Sequence, residues 1–260
     1  MRYSRSDLKA RRSALSLWPQ DIAPLLELST SRYKAIEAGG HGYIGAYLVG
    51  ELIRMEAFVA GETERLVAAA CAQGTVVLQA VPDQDTFTVR YPAAHTRRDR
   101  NPYPVSLQHV AVGRAAAELR RRGRDVAVHR GDRAFELMAA RLAVGLGRTE
   151  TAQLLGLNVS SYADTERGLK PPRAALTDLQ AVDDFIVDTA ASLKVSAQGG
   201  VHTIWIIDDQ QEFENQYPQA RVQRPHNNAY PIWTLRIAAA RRAHTLQATT
   251  GQPVLIAVDD

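Results

Sequence analysis

Apolar residues at the front of the chain recur at the spacing of one helix face. Leu8, Ala14 and Leu15 predict a first helix, and the stretch WPQDIAPLLEL predicts a second. A third helix is expected in TSRYKAIEA, because Ser29 is a good N-cap and Gly39 can end the helix. Short helices with a tight turn before the last one indicate a helix-turn-helix unit.

The same pattern returns 129 residues further along the chain. Residues 8–39 and 137–168 share 13 identities in 32 positions without a gap. Shorter matches continue at shifts of 126 to 128, so residues 1–132 and 133–260 are interpreted as a tandem duplication. Identical pairs include Ala23/Ala152, Leu26/Leu155, Tyr33/Tyr162, Glu37/Glu166, Tyr91/Tyr217 and Tyr103/Tyr230.

The second copy repeats the same helix signals. Thr149 is expected to cap the helix ETAQLLG, Asn158 to cap VSSYADTE, and Gly168 to end the latter. A long helix is expected next in each copy, at about 46–71 and 174–196. Behind it, TVVLQAV and VHTIWII are apolar and β-branched, which is typical of strands. Each copy then has a YP-containing loop, a helix and a short closing strand, DVAVHR or PVLIAV.

These elements predict an α+β fold that is mostly helical, built from two tandem repeats. Segments 1–70 and 133–196 would hold helix-turn-helix units, and segments 71–132 and 197–260 small strand-helix-strand modules. A two-stranded sheet is marginally stable alone, so we expect the two modules to pack together as a pseudo-dimer within one chain. The apolar residues assigned to that interface or to the core are Val76, Leu78, Val81, Trp205, Ile206, Ile207 and Trp233.

Composition limits the class of protein. Of 260 residues, 45% are hydrophobic, which is enough for two ordinary cores. The single Cys71 excludes a disulfide within the chain, and no Cys/His spacing suits zinc, so we expect no metal and no cofactor. Without a signal peptide or a long apolar run, the sequence predicts a cytoplasmic protein with no membrane partner.

The charge of the chain fits nucleic-acid binding without requiring it. The net charge is only +3, and the arginines cluster at 97–100 and 120–124. Such clusters usually form solvated faces, and they contact phosphate only where the fold brings them to one surface.

The order of these motifs resembles a known family of regulators. Three stretches carry the resemblance in the second half: YADTERGLKPPRAAL, EFENQYP and YPIWTLRIAAARRA. Their counterparts in the first half are YKAIEAGG, DTFTVRYP and YPVSLQHVAVGRAAAEL. The sequence is similar to the YdiL-like proteins, which are close to the anti-CRISPR-associated (Aca-type) autorepressors of phages.

The resemblance implies a function as well as a fold. Members of that family are about half the length of this chain, bind inverted-repeat operators as homodimers and dimerise through the back-end module. The resemblance therefore implies a transcriptional regulator, of bacterial or phage type, that represses its own operon. This sequence departs from the family because it fuses two units, so each half can read a different half-site on double-stranded DNA. Further pairing of two chains stays open.

A helix-turn-helix pair places its third helices about 34–36 Å apart, with their N-termini in the major groove. The residues expected to reach base edges are therefore Thr30, Ser31, Arg32 and Lys34 in the first copy and Val159, Ser160, Ser161 and Asp164 in the second. The residues expected to contact phosphate are Gln20, His41, Tyr43, Thr149, Arg167, Lys170 and Arg173. Packing is the expected role of Tyr33 and Tyr162, and a structural role that of Glu37 and Glu166.

The two copies distribute these charges differently. The first carries cations on the third helix, and the second carries them on the loop after it. One interpretation is that both halves read sequence. The other is that one half is specific while its counterpart holds the DNA backbone.

Other classes of function remain to be weighed. No nucleophile elbow, phosphate-binding loop or glycine fingerprint is present, and the paired acids Asp208-Asp209 fit a turn, so we expect no enzyme. An antitoxin-like or adaptor protein that binds another protein is one alternative. A regulator that also binds structured RNA is the other.

Overall fold

A computed structural model describes residues 3–40, 44–70, 74–169, 173–224 and 226–258. These residues form twelve helices and two three-stranded sheets, which confirms an α+β fold dominated by helix. The elements of the first half are α1 (Arg5–Ala14), α2 (Pro19–Leu25), α3 (Thr30–Glu37), α4 (Ala46–Ala68), β1 (Val76–Ala80), α5 (Gln84–Arg90), α6 (Ser106–Arg121), β2 (Val126–Arg130) and β3 (Arg133–Ala134).

The second half has nearly the same order of elements. They are α7 (Glu136–Ala143), α8 (Arg148–Leu154), α9 (Val159–Glu166), α10 (Arg173–Ser192), β4 (Val195–Gln198), β5 (Val201–Ile206), α11 (Gln210–Gln216), α12 (Trp233–Thr250) and β6 (Val254–Val258). No helix within the described ranges combines the length and apolarity that a membrane crossing requires.

Several sequence predictions are confirmed at the level of single elements. Ser29 caps α3 and Asn158 caps α9, each through its side-chain oxygen. The four predicted strands appear as β1, β2, β5 and β6. Thr149 was wrong as a cap, because α8 begins at Arg148, two residues before the expected start, with Gly147 at the N-cap.

The back-end modules, which are the strand-helix-strand segments 71–132 and 197–260, contain more helix than the sequence predicted. α5 and α11 occupy stretches expected to be loop, and each begins at an aspartate whose side chain accepts a backbone N–H, Thr86 to Asp83 at 2.8 Å and Glu212 to Asp209 at 2.9 Å. The helix predicted to reach residue 196 ends at Ser192, because the chain enters β4 three residues later, at Val195.

Each sheet combines one parallel and one antiparallel pair. β1 lies parallel to β2, with Val76 opposite Val126, and β5 lies parallel to β6, with Ile204 opposite Ile256. The helices between the paired strands supply the crossover that a parallel connection needs. β3 and β4 add the antiparallel edges.

Most of the assigned apolar residues are buried, but one is not. Val76, Leu78, Val81, Ile206 and Ile207 belong to the hydrophobic core, and Trp233 packs against it half-buried. Trp205 was wrong as a core or interface residue: it lies on the surface, 40% exposed, and its indole N–H donates to Ser196 Oγ at 3.1 Å. Alternation along β5 directs it to the opposite face from Ile204 and Ile206.

The first helix of each half packs on the back-end module of the other half. α7 lies on α6 and β2, and α1 lies on α12 and β6 at the other end of the chain. Three hydrogen bonds join α1 to β6: Ser4 Oγ to the Ile256 carbonyl at 2.7 Å, Arg11 Nη2 to the Val254 carbonyl at 2.9 Å, and the Ile256 amide to Asp7 Oδ2 at 3.2 Å. The two termini of the chain are thus tied together.

The α6–α7 contact is close enough to require glycine. A Cβ on Gly113 would overlap the carbonyl of Ala139 and lie 3.0 Å from the Cβ of Ala143. Any side chain at this position would push the two helices apart.

Charged side chains are buried where α1, α4, α6 and α12 meet. Arg11 Nε lies 2.9 Å from Asp7 Oδ1, and its Nη1 lies 3.7 Å from Glu56 Oε2. Arg114 Nη2 donates to the Ala14 carbonyl at 2.6 Å, and at the matched position Arg241 Nη2 donates to the Ala143 carbonyl at 2.8 Å. These arginines satisfy carbonyls at the ends of α1 and α7, which have no partner within the helix.

Five residues with left-handed backbone in the first half have a left-handed counterpart at a matched position in the second. In two of these pairs only the second half has glycine: Ser16 and Glu27 in the first half, both at φ 53°, correspond to Gly145 and Gly156 in the second, at φ 66° and 64°. The turn between the short helices therefore follows one backbone path in both halves, with glycine in the second half only. A residue other than glycine pays a steric cost in this conformation.

Glu56 should make stability depend on pH. Burial raises the pKa of Glu56 to about 7 from 4.5, although Arg11, Arg114 and Arg241 oppose the shift and Asp7 adds to it. Between these pH values the folded chain keeps a proton that the unfolded chain has released. The free energy of unfolding should therefore fall as pH rises from 4.5 to 7, by up to about 3 kcal/mol.

Urea denaturation of the wild type and of Glu56→Gln at several pH values measures this contribution. We expect the difference between the two proteins to change across pH 4.5 to 7, because the amide cannot ionise. Parallel pH profiles would show that Glu56 titrates normally in the folded protein.

Glu27→Gly should stabilise the protein. Relief of the left-handed cost, about 1–2 kcal/mol, exceeds the extra freedom of glycine in the unfolded chain, about 0.5–1 kcal/mol. We expect a gain of about 0.5–1 kcal/mol in the free energy of unfolding, measured by urea denaturation. The reverse change, Gly156→Ala, serves as the control and should destabilise, since its Cβ would strike the ring of His226. A loss of stability in Glu27→Gly would contradict the argument.

Candidate nucleic-acid interface

Two short helices follow the same geometry in each half. α2 is followed by a turn and α3, and α8 by a turn and α9. The turn is closed by backbone bonds from Leu28 N to the Ala23 carbonyl at 2.9 Å and from Leu157 N to the Ala152 carbonyl at 2.8 Å. Ala23 and Ala152 are fully buried, so a small side chain allows the helices to approach.

A buried ion pair fixes the end of each third helix to the first helix of its half. Arg12 Nε lies 2.6 Å from Glu37 Oε1, and Arg12 Nη1 donates to the Leu17 carbonyl at 2.6 Å. The second half repeats both contacts: Arg141 Nε lies 2.6 Å from Glu166 Oε1, and its Nη1 donates to the Leu146 carbonyl at 2.9 Å. The two glutamates therefore have the structural role expected of them.

Tyr33 and Tyr162 lie under these ion pairs with no exposed surface, as expected for packing residues. Burial raises the pKa of both phenols, and the neighbouring Glu37 and Glu166 raise it further. Both rings are thus neutral packing groups and are unavailable to a base edge.

In the first half, the residues predicted to read bases lie together on the outer face of α3. Ser31, Arg32 and Lys34 are exposed and Thr30 is half-buried. Gln20, predicted to contact phosphate, is exposed at the start of α2. Among the described residues, Arg32 and Lys34 have no acidic partner. His41 and Tyr43 lie outside the described residues.

In the second half, the outer face of α9 is neutral. Val159 and Ser160 are exposed and Ser161 is half-buried. Asp164 pairs with Arg167 at 2.6 Å, so the two predicted contact residues neutralise each other. Thr149 is exposed at the start of α8 and Arg173 at the start of α10, whereas Lys170 lies outside the described residues.

The starts of α2 and α8 meet. A Cβ on Gly147 would lie 2.9 Å from Cζ2 of Trp18, and Gly147 is the residue 129 positions after Trp18. One residue into α8, Arg148 Nε lies 2.9 Å from Glu166 Oε2. Neither Trp18 nor Arg148 was predicted as a site residue, because no signal along the chain indicates that Trp18 meets Gly147 or that Arg148 reaches Glu166.

Ion pairs within the fold occupy part of the arginine clusters. Arg121 contacts Asp183 at 2.7 Å and joins α6 to α10, and Arg122 contacts Glu118 at 2.8 Å. Arg98 lies over the ring of Tyr47, 5.6 Å from its centroid. These guanidinium groups serve the fold rather than a phosphate backbone.

One missed cation lies beside α3. Arg5 is exposed, and its Nη1 would lie 3.6 Å from a Cβ on Gly39, directly after the helix. Its position at the start of α1 gave no hint of this, because the chain must fold back to bring the two together.

The paired acids considered for catalysis have structural partners. Asp208 Oδ1 accepts from Arg236 Nε at 2.7 Å, and Asp209 caps α11. Both residues are therefore engaged in holding the back-end module.

The ion pair behind α3 should be worth far more than a surface pair. Arg12→Met leaves Glu37 buried without its partner, and we expect the free energy of unfolding to fall by about 3 kcal/mol. The matched control is Arg122→Met, which removes an exposed pair and should change stability by less than about 0.5 kcal/mol. Equal effects of the two substitutions in urea denaturation would refute the assigned role.

Comparison with known proteins identified no relative of this chain. No protein-family model, no curated protein and no solved structure matches the chain. The function proposed below therefore rests on the residues and contacts already described.

Proposed function

We propose that this chain is a sequence-specific, DNA-binding transcriptional regulator, carrying two helix-turn-helix units that arose by tandem duplication. The contact between Trp18 and Gly147 carries the proposal. It joins matched residues of the two halves, and this is where a local twofold axis would pass. Such an axis would turn one chain into an intrachain pseudo-dimer.

The repeated contacts support the duplication. The Arg12–Glu37 pair recurs as Arg141–Glu166, with the same donor and acceptor atoms at the same 2.6 Å. The tilted stack of Phe87 on Tyr91 recurs in the second half, with ring centroids 5.1 Å and 5.3 Å apart. Two unrelated folds would not agree at this level of detail.

The proposal makes a demand on the spacing of the third helices. Trp18 and Gly147 are the N-caps of α2 and α8, so these two helices begin side by side. An operator with two half-sites one helical turn apart requires the starts of α3 and α9 to lie ~34–36 Å apart.

The unequal third helices favour an operator with two unlike half-sites. Arg32 and Lys34 give α3 a cationic face, whereas α9 presents Val159, Ser160 and a neutralised Asp164. A guanidinium suits guanine, and an isopropyl group suits the thymine methyl. We therefore propose that α3 reads the more guanine-rich half-site.

The regulatory direction is proposed from the resemblance to the YdiL-like autorepressors. A chain of that kind binds upstream of its own gene in the cytoplasm and blocks transcription. Because both helix-turn-helix units lie in one chain, pairing of the two units does not depend on protein concentration.

Selection of bound fragments from a random DNA library tests the function directly. We expect recovery of a site with two half-sites one helical turn apart, and an affinity that falls steeply with salt. Recovery of no enriched site, with selective capture of RNA or of a protein partner instead, would overturn the proposal.

Arg32→Ala should weaken binding to the selected site by about 1–3 kcal/mol and relax selectivity at one base pair. Arg173→Ala removes a residue expected to contact phosphate, and it should instead weaken binding to all sequences and reduce the salt dependence by about one counterion. Arg133→Ala is the control, because it removes an exposed arginine from β3. Titration of labelled DNA measures all three, and an unchanged affinity in Arg32→Ala would exclude this residue from base reading.

A further inference from the structure

A cavity of about 600 Å³ opens between α4, the end of α5 and the segment that follows it. Its wall is aromatic: Phe58 meets Tyr91 edge-on at 5.4 Å and Tyr103 at 6.1 Å between ring centroids. The volume lies within the range of small-molecule sites, about 300–1,000 Å³. The wall therefore offers an apolar slot lined by aromatic rings, against which a planar ring can pack.

Cations surround this slot. Arg54, Arg90, Arg97 and His95 all line it. Arg54 is paired with Glu51, but its Nε is buried without a hydrogen-bond acceptor. Arg90 and Arg97 are exposed and have no acidic partner among the described residues, and Arg90 lies over the ring of Tyr91, 5.6 Å from its centroid. Two guanidinium groups without a carboxylate partner, beside an aromatic wall, favour a ligand that is both flat and negatively charged.

The second half keeps the aromatic wall and lacks the free cations. Phe185, Tyr217 and Tyr230 repeat the ring contacts, with Phe185 5.7 Å from Tyr217. The residues at the positions of Arg90 and Arg97 are Gln216 and Gln223. The aromatic cluster is therefore part of the fold, whereas the charge around it is particular to the first half.

The segment that lines the cavity also contacts the turn before α3. Arg98 Nη2 lies 3.6 Å from Glu27 Oε2, and Asn101 Nδ2 donates to the Leu25 carbonyl at 3.2 Å. The amide of Arg97 donates to Glu51 Oε1 at 3.0 Å. Movement of Arg97 toward a ligand would pull on this segment and so on the end of α2.

We propose that the cavity binds a small planar aromatic anion, and that this ligand is an effector of the chain. The ring stacks within the wall of Phe58, Tyr91 and Tyr103, and the anionic group is held by Arg90 and Arg97. The effector role rests on the proposed DNA-binding function, whereas ligand binding itself does not.

Calorimetric titration of the full chain, without DNA, tests the site. The probes are 2-naphthoate, an aromatic carboxylate, and adenosine monophosphate, a nucleotide phosphate. We expect at least one to bind at one site per chain with a Kd below about 1 mM. Its neutral counterpart, 2-naphthalenemethanol or adenosine, should bind at least about tenfold more weakly. The probe that binds more tightly shows whether the site prefers a carboxylate or a phosphate.

The double variant Arg90→Gln, Arg97→Gln gives the first half the residues of the second. It should weaken binding of the anionic probe at least about tenfold and leave the neutral counterpart unaffected. Arg133→Gln removes a distant exposed arginine and should change neither. Thermal unfolding confirms that the variants fold. Failure of both probes to saturate, or equal binding by the double variant, would overturn the site.

DNA titration in the presence of the saturating probe tests the effector role. We expect operator affinity to change at least about threefold, a coupling in the ordinary range, and to lose that response in Asn101→Ala, which cuts the link to Leu25. If the probe binds but operator affinity stays unchanged, the effector role is refuted and the binding site stands. If no operator exists, calorimetry still decides the site.

Discussion

The packing of α1 on the last module of the chain is the contact on which the rest of the structure depends. Ser4, Asp7 and Arg11 each bond to β6, so the first helix cannot leave without exposing the edge of the second sheet. α7 occupies the matching place beside β2 and follows it in the chain after β3. Each pair of short helices is therefore anchored by the first helix of its half, α1 or α7, which also packs on the strand-helix-strand module of the other half.

This sharing explains where the charged groups are buried. Arg114 and Arg241 reach from the long back-end helices to the last carbonyls of α1 and α7. Asp183 lies 2.8 Å from Arg241, and Glu56, at the matched position of α4, lies near Arg114. Burying these polar and charged groups costs stability, which their contacts offset only in part.

The two halves share a backbone and differ in surface chemistry. At the third helices, the first half offers free cations and the second a neutral face. The aromatic cluster of the first half is likewise surrounded by arginines, whereas glutamines stand at two of those positions in the second. If the chain arose by duplication, the packing residues of each unit were retained, whereas the exposed residues diverged.

The sequence by itself determined the elements that depend on local signals. The helix caps Ser29 and Asn158, the apolar strands and the burial of Tyr33 followed from neighbours close in the chain. α5 and α11 were not predicted because each has seven residues and one buried residue, Phe87 or Phe213, which is too few to show a helical period. Only the tertiary structure decided that α1 joins β6 and that Trp18 meets Gly147. Such contacts join residues more than a hundred positions apart, and their geometry depends on every element between them.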